Sequence, residues 1–153
     1  MNRLPFLLIL LISGLLLSCS KDDDHVVVPD NTISSNQGLL IELEWNTGGS
    51  SSQALHDSDL DLYLDLGQEA VDASESYGYF EEVYLRDIYR DGTYDVYVGA
   101  MDISRHTDYS LYISAPGSGV IYHYTGYFHP GEEGEVLYLS IRKQGRHYTL
   151  LDL

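Results

Sequence analysis

The chain has 153 residues, with 24 Asp and Glu against 8 Lys and Arg, a formal charge of −16 at pH 7. So acidic a chain repels nucleic acid and anionic lipid head groups, which argues against both as ligands of its folded part. One cysteine excludes an intramolecular disulfide, and 14 tyrosines against 3 phenylalanines and 1 tryptophan suit half-exposed, amphipathic surfaces.

Asn2-Arg3 gives a short positive start, and Leu4 to Leu17 is almost wholly apolar. A membrane-spanning helix needs roughly 20 apolar residues, so this run fits the apolar core of a secretory signal peptide better. It ends in Leu16-Leu17-Ser18-Cys19, which resembles a bacterial lipobox. The resemblance implies cleavage before Cys19, leaving residues 1–18 as signal peptide, and a diacylglyceryl group on the Cys19 thiol. Each acyl CH₂ buried is worth about 0.8 kcal/mol, so two or three chains anchor a protein without spanning the bilayer. Lipidation also consumes a thiol that would otherwise be a lone, reactive group in an oxidising compartment.

Ser20, Lys21, Asp22, Asp23 and Asp24 follow directly. This stretch resembles the acidic export signal of Bacteroidota lipoproteins, which implies display on the cell surface at the outer membrane. The plainer reading is a solvated charge run. From Asp24 to Gln37 there is no periodicity, and Pro29, Asn31, Ser34, Ser35 and Asn36 predict a flexible tether. Residues 19–37 thus read as lipidated cysteine, export signal and tether.

Residues 38–153 read as one all-β domain of short period-two segments separated by turn residues. Leu39 to Asn46 puts Ile41, Leu43 and Trp45 on one face and Glu42 and Glu44 on the other. A polar loop, Gly48 to Ser52, precedes Leu60 to Leu66, where Leu60, Leu62, Leu64 and Leu66 alternate with Asp61, Tyr63 and Asp65. Tyr79 to Arg86 is a further strand. Beyond the Asp91-Gly92 turn, Tyr94, Val96 and Val98 alternate with Thr93, Asp95 and Tyr97. Tyr109, Leu111 and Ile113 then alternate with Ser110 and Tyr112. Val120 to Phe128, Gly134 to Arg142 (with Leu137, Leu139 and Ile141 in one phase) and His147 to Leu151 complete the count. About eight antiparallel strands at this spacing predict a jelly-roll-like β-sandwich.

Trp45-Asn46-Thr47, Asp57 to Leu64 (D-S-D-L-D-L-Y-L) and Asp91 to Val98 (D-G-T-Y-D-V-Y-V) together resemble bacterial pre-peptidase C-terminal domains. The likeness covers about residues 39–114. It implies a jelly-roll-like sandwich with a non-catalytic role in binding or secretion, and some members of that group bind calcium.

Asp57, Asp59 and Asp61 are the strongest metal candidates. Alternate strand residues share a face roughly 7 Å apart, and Ca²⁺ takes six to eight hard oxygens, so loop ligands such as Asp91 would have to join them. Leu62 stands where an EF-hand loop requires Gly, which rules out that motif. The competing reading is a solvated acidic face that discourages edge pairing.

Tyr63, Tyr97 and Tyr112 occupy the polar phase of their strands. If those strands are neighbours, the rings form a platform on which sugar C–H faces stack, although tyrosine is also an ordinary exposed β-former. Glu42 and Glu44, roughly 7 Å apart, have the spacing of an inverting glycosidase pair, but on one strand they run parallel rather than converge. His123 and His129 lack a third ligand at zinc-like spacing. There is no G-x-S-x-G, H-E-x-x-H or phosphate-cradling loop.

The expectation is a lipid-anchored, cell-surface, non-enzymatic binding module for a glycan or a protein, with calcium as its only candidate cofactor. A structural or assembly role in an outer-membrane complex is the alternative, and a carboxylate glycosidase comes third.

Overall fold

Among the described residues, alternating apolar positions become ten strands and one short helix. The computed structural model describes residues 30–119 and 121–151. The signal peptide, Cys19 and the Ser20–Asp24 signal therefore lie outside the described residues.

In chain order the elements are β1 (Thr32–Ser34), β2 (Leu39–Asn46), α1 (Ser51–Asp57), β3 (Ser58–Leu66), β4 (Glu69–Ser74) and β5 (Phe80–Leu85). They continue as β6 (Gly92–Ile103), β7 (Thr107–Ser114), β8 (Ile121–Phe128), β9 (Gly134–Gln144) and β10 (His147–Leu151). One sheet has the order β1-β10-β9-β6-β3-β4 and the other β5-β2-β7-β8, with every pairing antiparallel. This is the expected all-β sandwich, with ten strands instead of eight.

The two additional strands have clear physical origins. β1 lies inside the expected tether, yet Thr32–Ser34 pairs with His147–Thr149 and Ile33 is buried. The six-stranded sheet thus includes Thr32–Ser34, upstream of Gly38. β4 reads Glu-Ala-Val-Asp-Ala-Ser, too short of bulky apolar residues to signal a strand, and its pairing with β3 supplies the order. Within the stretch between β2 and β3, Ser51–Asp57 closes into a helix that buries only Ala54. Among the described residues no helix is long and apolar enough to cross a membrane.

The core lies between the sheets. Leu60, Leu62, Leu64, Val96, Val98, Leu139 and Ile141 from the six-stranded sheet meet Leu39, Ile41, Leu43, Leu111 and Ile113 from the other. Each such side chain contributes roughly 1.5–3 kcal/mol of hydrophobic burial. Trp45 is buried as well, and its Nε1–H donates to the Ser58 carbonyl at 3.3 Å.

Irregularities concentrate in the six-stranded sheet, where the register shifts at Leu64/Asp65, Asp59/Leu60 and Val96/Tyr97. At the last of these, Val96 opposes Leu139 and Tyr97 opposes Leu137, leaving Tyr138 as the extra residue. Leu137 therefore falls out of phase with Leu139 and Ile141 and lies beside Tyr97 on the outer face. Tyr138 packs against Tyr109 and Tyr124 instead, and its hydroxyl donates to the Thr125 carbonyl of β8 at 2.8 Å. On the opposite side of the sandwich, Asp72 Oδ2 of β4 accepts the Tyr84 N–H of β5 at 2.8 Å, and Ser74 Oγ accepts the Glu82 N–H at 3.4 Å. The buried Glu81 carboxylate accepts hydrogen bonds from Ser74 Oγ, Ser76 Oγ and the Ser76 N–H. These contacts join the two sheets along both sides.

Candidate functional site

Each sheet turns one face to solvent, and the sequence-predicted residues divide between them. On the six-stranded sheet, Asp61 is opposite Gly99, Tyr63 opposite Tyr97 and Asp65 opposite Asp95. Gly99 makes room for an aromatic ring, since a Cβ there would lie 3.0 Å from Tyr63 Cε2. The Tyr63 hydroxyl donates to Asp61 Oδ2 at 2.8 Å, and Asp61 is only 5% exposed. Burial raises the Asp61 pKa, the Tyr63 hydrogen bond partly offsets this, and Asp59, Glu75 and Glu81 add further upward pressure. Asp59 is raised by burial first and then by Glu81 and Asp102. Burial and the bond to Asp61 also push the Tyr63 hydroxyl upward.

The four aspartates expected to hold calcium do not converge. Asp59 and Asp61 do share a face. Asp57, however, ends α1, where its carboxylate accepts the Thr47 hydroxyl at 3.1 Å and pairs with Arg105 Nε at 3.3 Å. Asp91 precedes the far end of β6, roughly 35 Å along the strand from Asp102, which pairs with Asp59. There it accepts the Gly145 N–H at 2.7 Å and faces Lys143 Nζ at 3.3 Å, contacts that hold its pKa below the usual range. Among the described residues, no group of three or more His, Cys, Asp or Glu is arranged to hold a metal ion.

The three tyrosines do not form one platform either. Tyr63 and Tyr97 are cross-strand neighbours, but Tyr112 belongs to β7 in the other sheet and faces the opposite side of the sandwich.

The outer face of the four-stranded sheet is regular, with no register shift in any of its three pairings. Glu82, Glu42, Tyr112 and His123 form one row across it, and Phe80, Glu44, Ser110 and Thr125 the next. Tyr112 stacks on His123 with ring centroids 4.6 Å apart and planes 9° from parallel. Glu42 is raised by partial burial and by the neighbouring Glu82 and Glu44 carboxylates. Glu42 and Glu44 project side by side from an open sheet, so no cleft separates them as a glycosidase pair would require.

Beyond these rows the face becomes concave. Asn46, Asp108, Ser110, Thr125, Gly126 and Tyr127 line a groove of about 470 Å³. Gly126 faces inward beneath it and lets the Tyr109 ring pack against the β8 backbone, since a Cβ there would come within 2.3 Å of the Tyr109 ring and hydroxyl. Tyr127 is 59% exposed and packs at its edge against His106 and His129. His106 Nε2 lies 3.3 Å from Asp108 Oδ1, beside the groove. His129 thus belongs to an aromatic cluster, while His123 belongs to the Tyr112 stack.

The groove residues Asn46, Asp108 and Tyr127, and the flanking His106, escaped the sequence reading. The signal available was the outward phase of β8, in which His123, Thr125 and Tyr127 alternate with inward Tyr122, Tyr124, Gly126 and Phe128. None of the four strands of this sheet carries Lys or Arg.

No protein-family model, curated protein or solved structure matches the chain. The likeness to pre-peptidase C-terminal domains therefore rests on the strand motifs alone.

Proposed function

We propose that this protein is a non-enzymatic, lipid-anchored surface module that binds a glycan on the outer face of its four-stranded sheet. The observation that carries the reading is the groove beside Tyr127, where an exposed aromatic ring borders an amide, a carboxylate and two hydroxyls. Such a ring offers a flat apolar surface to a sugar's C–H face and keeps its polar tip in water. Asn46, Asp108, Ser110 and Thr125 supply acceptors and donors for sugar hydroxyls. The regular strands beneath are rigid, so little ordering cost accompanies binding.

Anchoring through Cys19 and export through Ser20–Asp24 complete the proposal and rest on the sequence motifs. A surface tether would present the groove to extracellular polysaccharide.

A panel of neutral oligosaccharides tests the reading by affinity electrophoresis and calorimetry on the full-length chain. Saturable binding that Tyr127→Ala weakens at least tenfold, about 1.4 kcal/mol, is the expected result. No binding to any oligosaccharide, or equal binding by the variant, would remove the groove as a glycan site. Separately, Cys19→Ala should move the protein out of the membrane fraction, and a variant that stays there would overturn the lipid anchor.

A further inference from the structure

A second cleft lies at the other end of β7 from the groove, roughly 20 Å along the strand. It has a volume of about 430 Å³ and is bounded by the β1–β2 connection, the β7–β8 loop and the β9–β10 turn. Ser34, Ser35, Asn36, Ser118, Arg146 and His147 line it. No Asp or Glu does, although the chain has three times as many acidic as basic residues.

Three of the five other Lys and Arg among the described residues are neutralised. Arg90 pairs with Glu69, Arg105 with Asp57 and Lys143 with Asp91. Among the described residues the Arg146 guanidinium has no carboxylate within ion-pair distance. Arg86 and Arg142 are likewise unpaired, but they line neither cleft nor groove. Local bonds fix the walls around Arg146. The Ser35 N–H donates to the Arg146 carbonyl at 2.9 Å, Ser34 Oγ and His147 Nδ1 are 2.9 Å apart, and Gly145 takes the positive φ that the turn requires.

A guanidinium presents a planar fork of donors that matches an oxyanion, and the Ser35 hydroxyl and the Asn36 amide extend the donor set, while the Ser118 hydroxyl donates to the Ala115 carbonyl at 2.9 Å. The cleft is much larger than one tetrahedral ion, and its uncharged polar lining suits a ligand rich in hydroxyls. We propose that this cleft binds the oxyanion of an acidic sugar, a uronate carboxylate or a sugar sulfate, with Arg146 as the charged contact. The chain's overall negative charge does not prevent this, because screening confines its field to about 8 Å at physiological salt.

Calorimetry of the full-length chain with an oligogalacturonate, a sulfated oligosaccharide, their neutral counterparts, and inorganic sulfate and phosphate tests the proposal. The expected result is saturable binding of a charged oligosaccharide that Arg146→Ala weakens at least tenfold, Arg146→Lys partly restores and Arg142→Ala, which removes the same charge outside the cleft, changes less than twofold. Because Arg146 is exposed, the melting temperature of Arg146→Ala should match the wild type, which verifies the fold. Failure of both charged oligosaccharides to bind, or wild-type affinity in Arg146→Ala, would overturn the site. Full displacement by equimolar sulfate or phosphate would overturn the sugar reading and leave a cleft for inorganic anions.

Discussion

The two outer faces of the sandwich carry similar residues and arrange them differently. On the six-stranded sheet, Tyr63 folds over Gly99 and gives its hydroxyl to Asp61, so ring and carboxylate satisfy each other. On the four-stranded sheet, Tyr127 keeps most of its surface in solvent and Asp108 faces a histidine beside a groove. Tyrosine and aspartate on an outward strand face therefore do not define a site by themselves. What separates the faces is whether the polar groups are already engaged with one another.

A core substitution sets the scale for testing that contrast. Leu62→Ala beneath the first face should cost roughly 2–5 kcal/mol in urea unfolding, because it leaves a cavity between the sheets. A loss near zero would mean that the inward phase of β3 is misassigned, and with it the outward position of Asp61 and Tyr63.

The two glycines come next. Gly126→Ala should cost about 1–3 kcal/mol, since its Cβ meets the Tyr109 ring, which is held within the core. Gly99→Ala should cost less than about 1 kcal/mol, because the outer edge of the half-buried Tyr63 ring can shift a few tenths of an ångström. Equal costs measured by thermal and chemical unfolding would erase the distinction between a fixed and a yielding ring.

Binding sharpens the comparison further. Tyr127→Ala should lose at least tenfold in glycan affinity, whereas Tyr97→Ala should lose less than twofold, with both variants within about 0.5 kcal/mol of wild-type stability. The reverse order in calorimetry would move the site to the six-stranded sheet.

The smallest effect concerns charge. A carboxyl whose folded pKa is raised stabilises the fold below its unfolded pKa, about 3.9, and that stability disappears as pH rises through the folded value. At pH 7 ionised Asp61 is therefore a cost. Asp61→Asn keeps an acceptor for Tyr63 and should raise the melting temperature at pH 7. The gain should vanish below about pH 4, where the native carboxyl is itself neutral. A gain independent of pH would assign the effect to packing.

Strands with strict alternation were legible in the sequence. D-L-D-L-Y-L and T-Y-D-V-Y-V gave β3 and much of β6 with the correct buried phase, and the sandwich class follows from them. β4 was not legible, because its alanines and acids earn order only from pairing with β3. Leu137 was misread because a one-residue bulge at Tyr138 reverses the phase midway along β9, and nothing local announces it. The site suffered from a different limit. Periodicity tells which face a residue takes within its strand, not which sheet the strand joins, so it does not separate Tyr112 from Tyr63 and Tyr97. Nor does periodicity give position along a neighbouring strand, and the length of β6 lies between Asp91 and the residue that pairs with Asp59.

The capping of β5 by Asp72 and Ser74 bears on how the molecule opens. An edge strand ordinarily exchanges its outward amides with solvent by local fraying, far more readily than by global unfolding. The Tyr84 and Glu82 amides point toward the side chains of β4, so releasing them requires separating the sheets along that side. Their deuterium exchange should be as slow as that of the central strands, and Asp72→Ala should accelerate Tyr84 selectively. A small domain without a disulfide can in this way keep its periphery as protected as its centre, which removes a convenient place for proteolytic cleavage to begin.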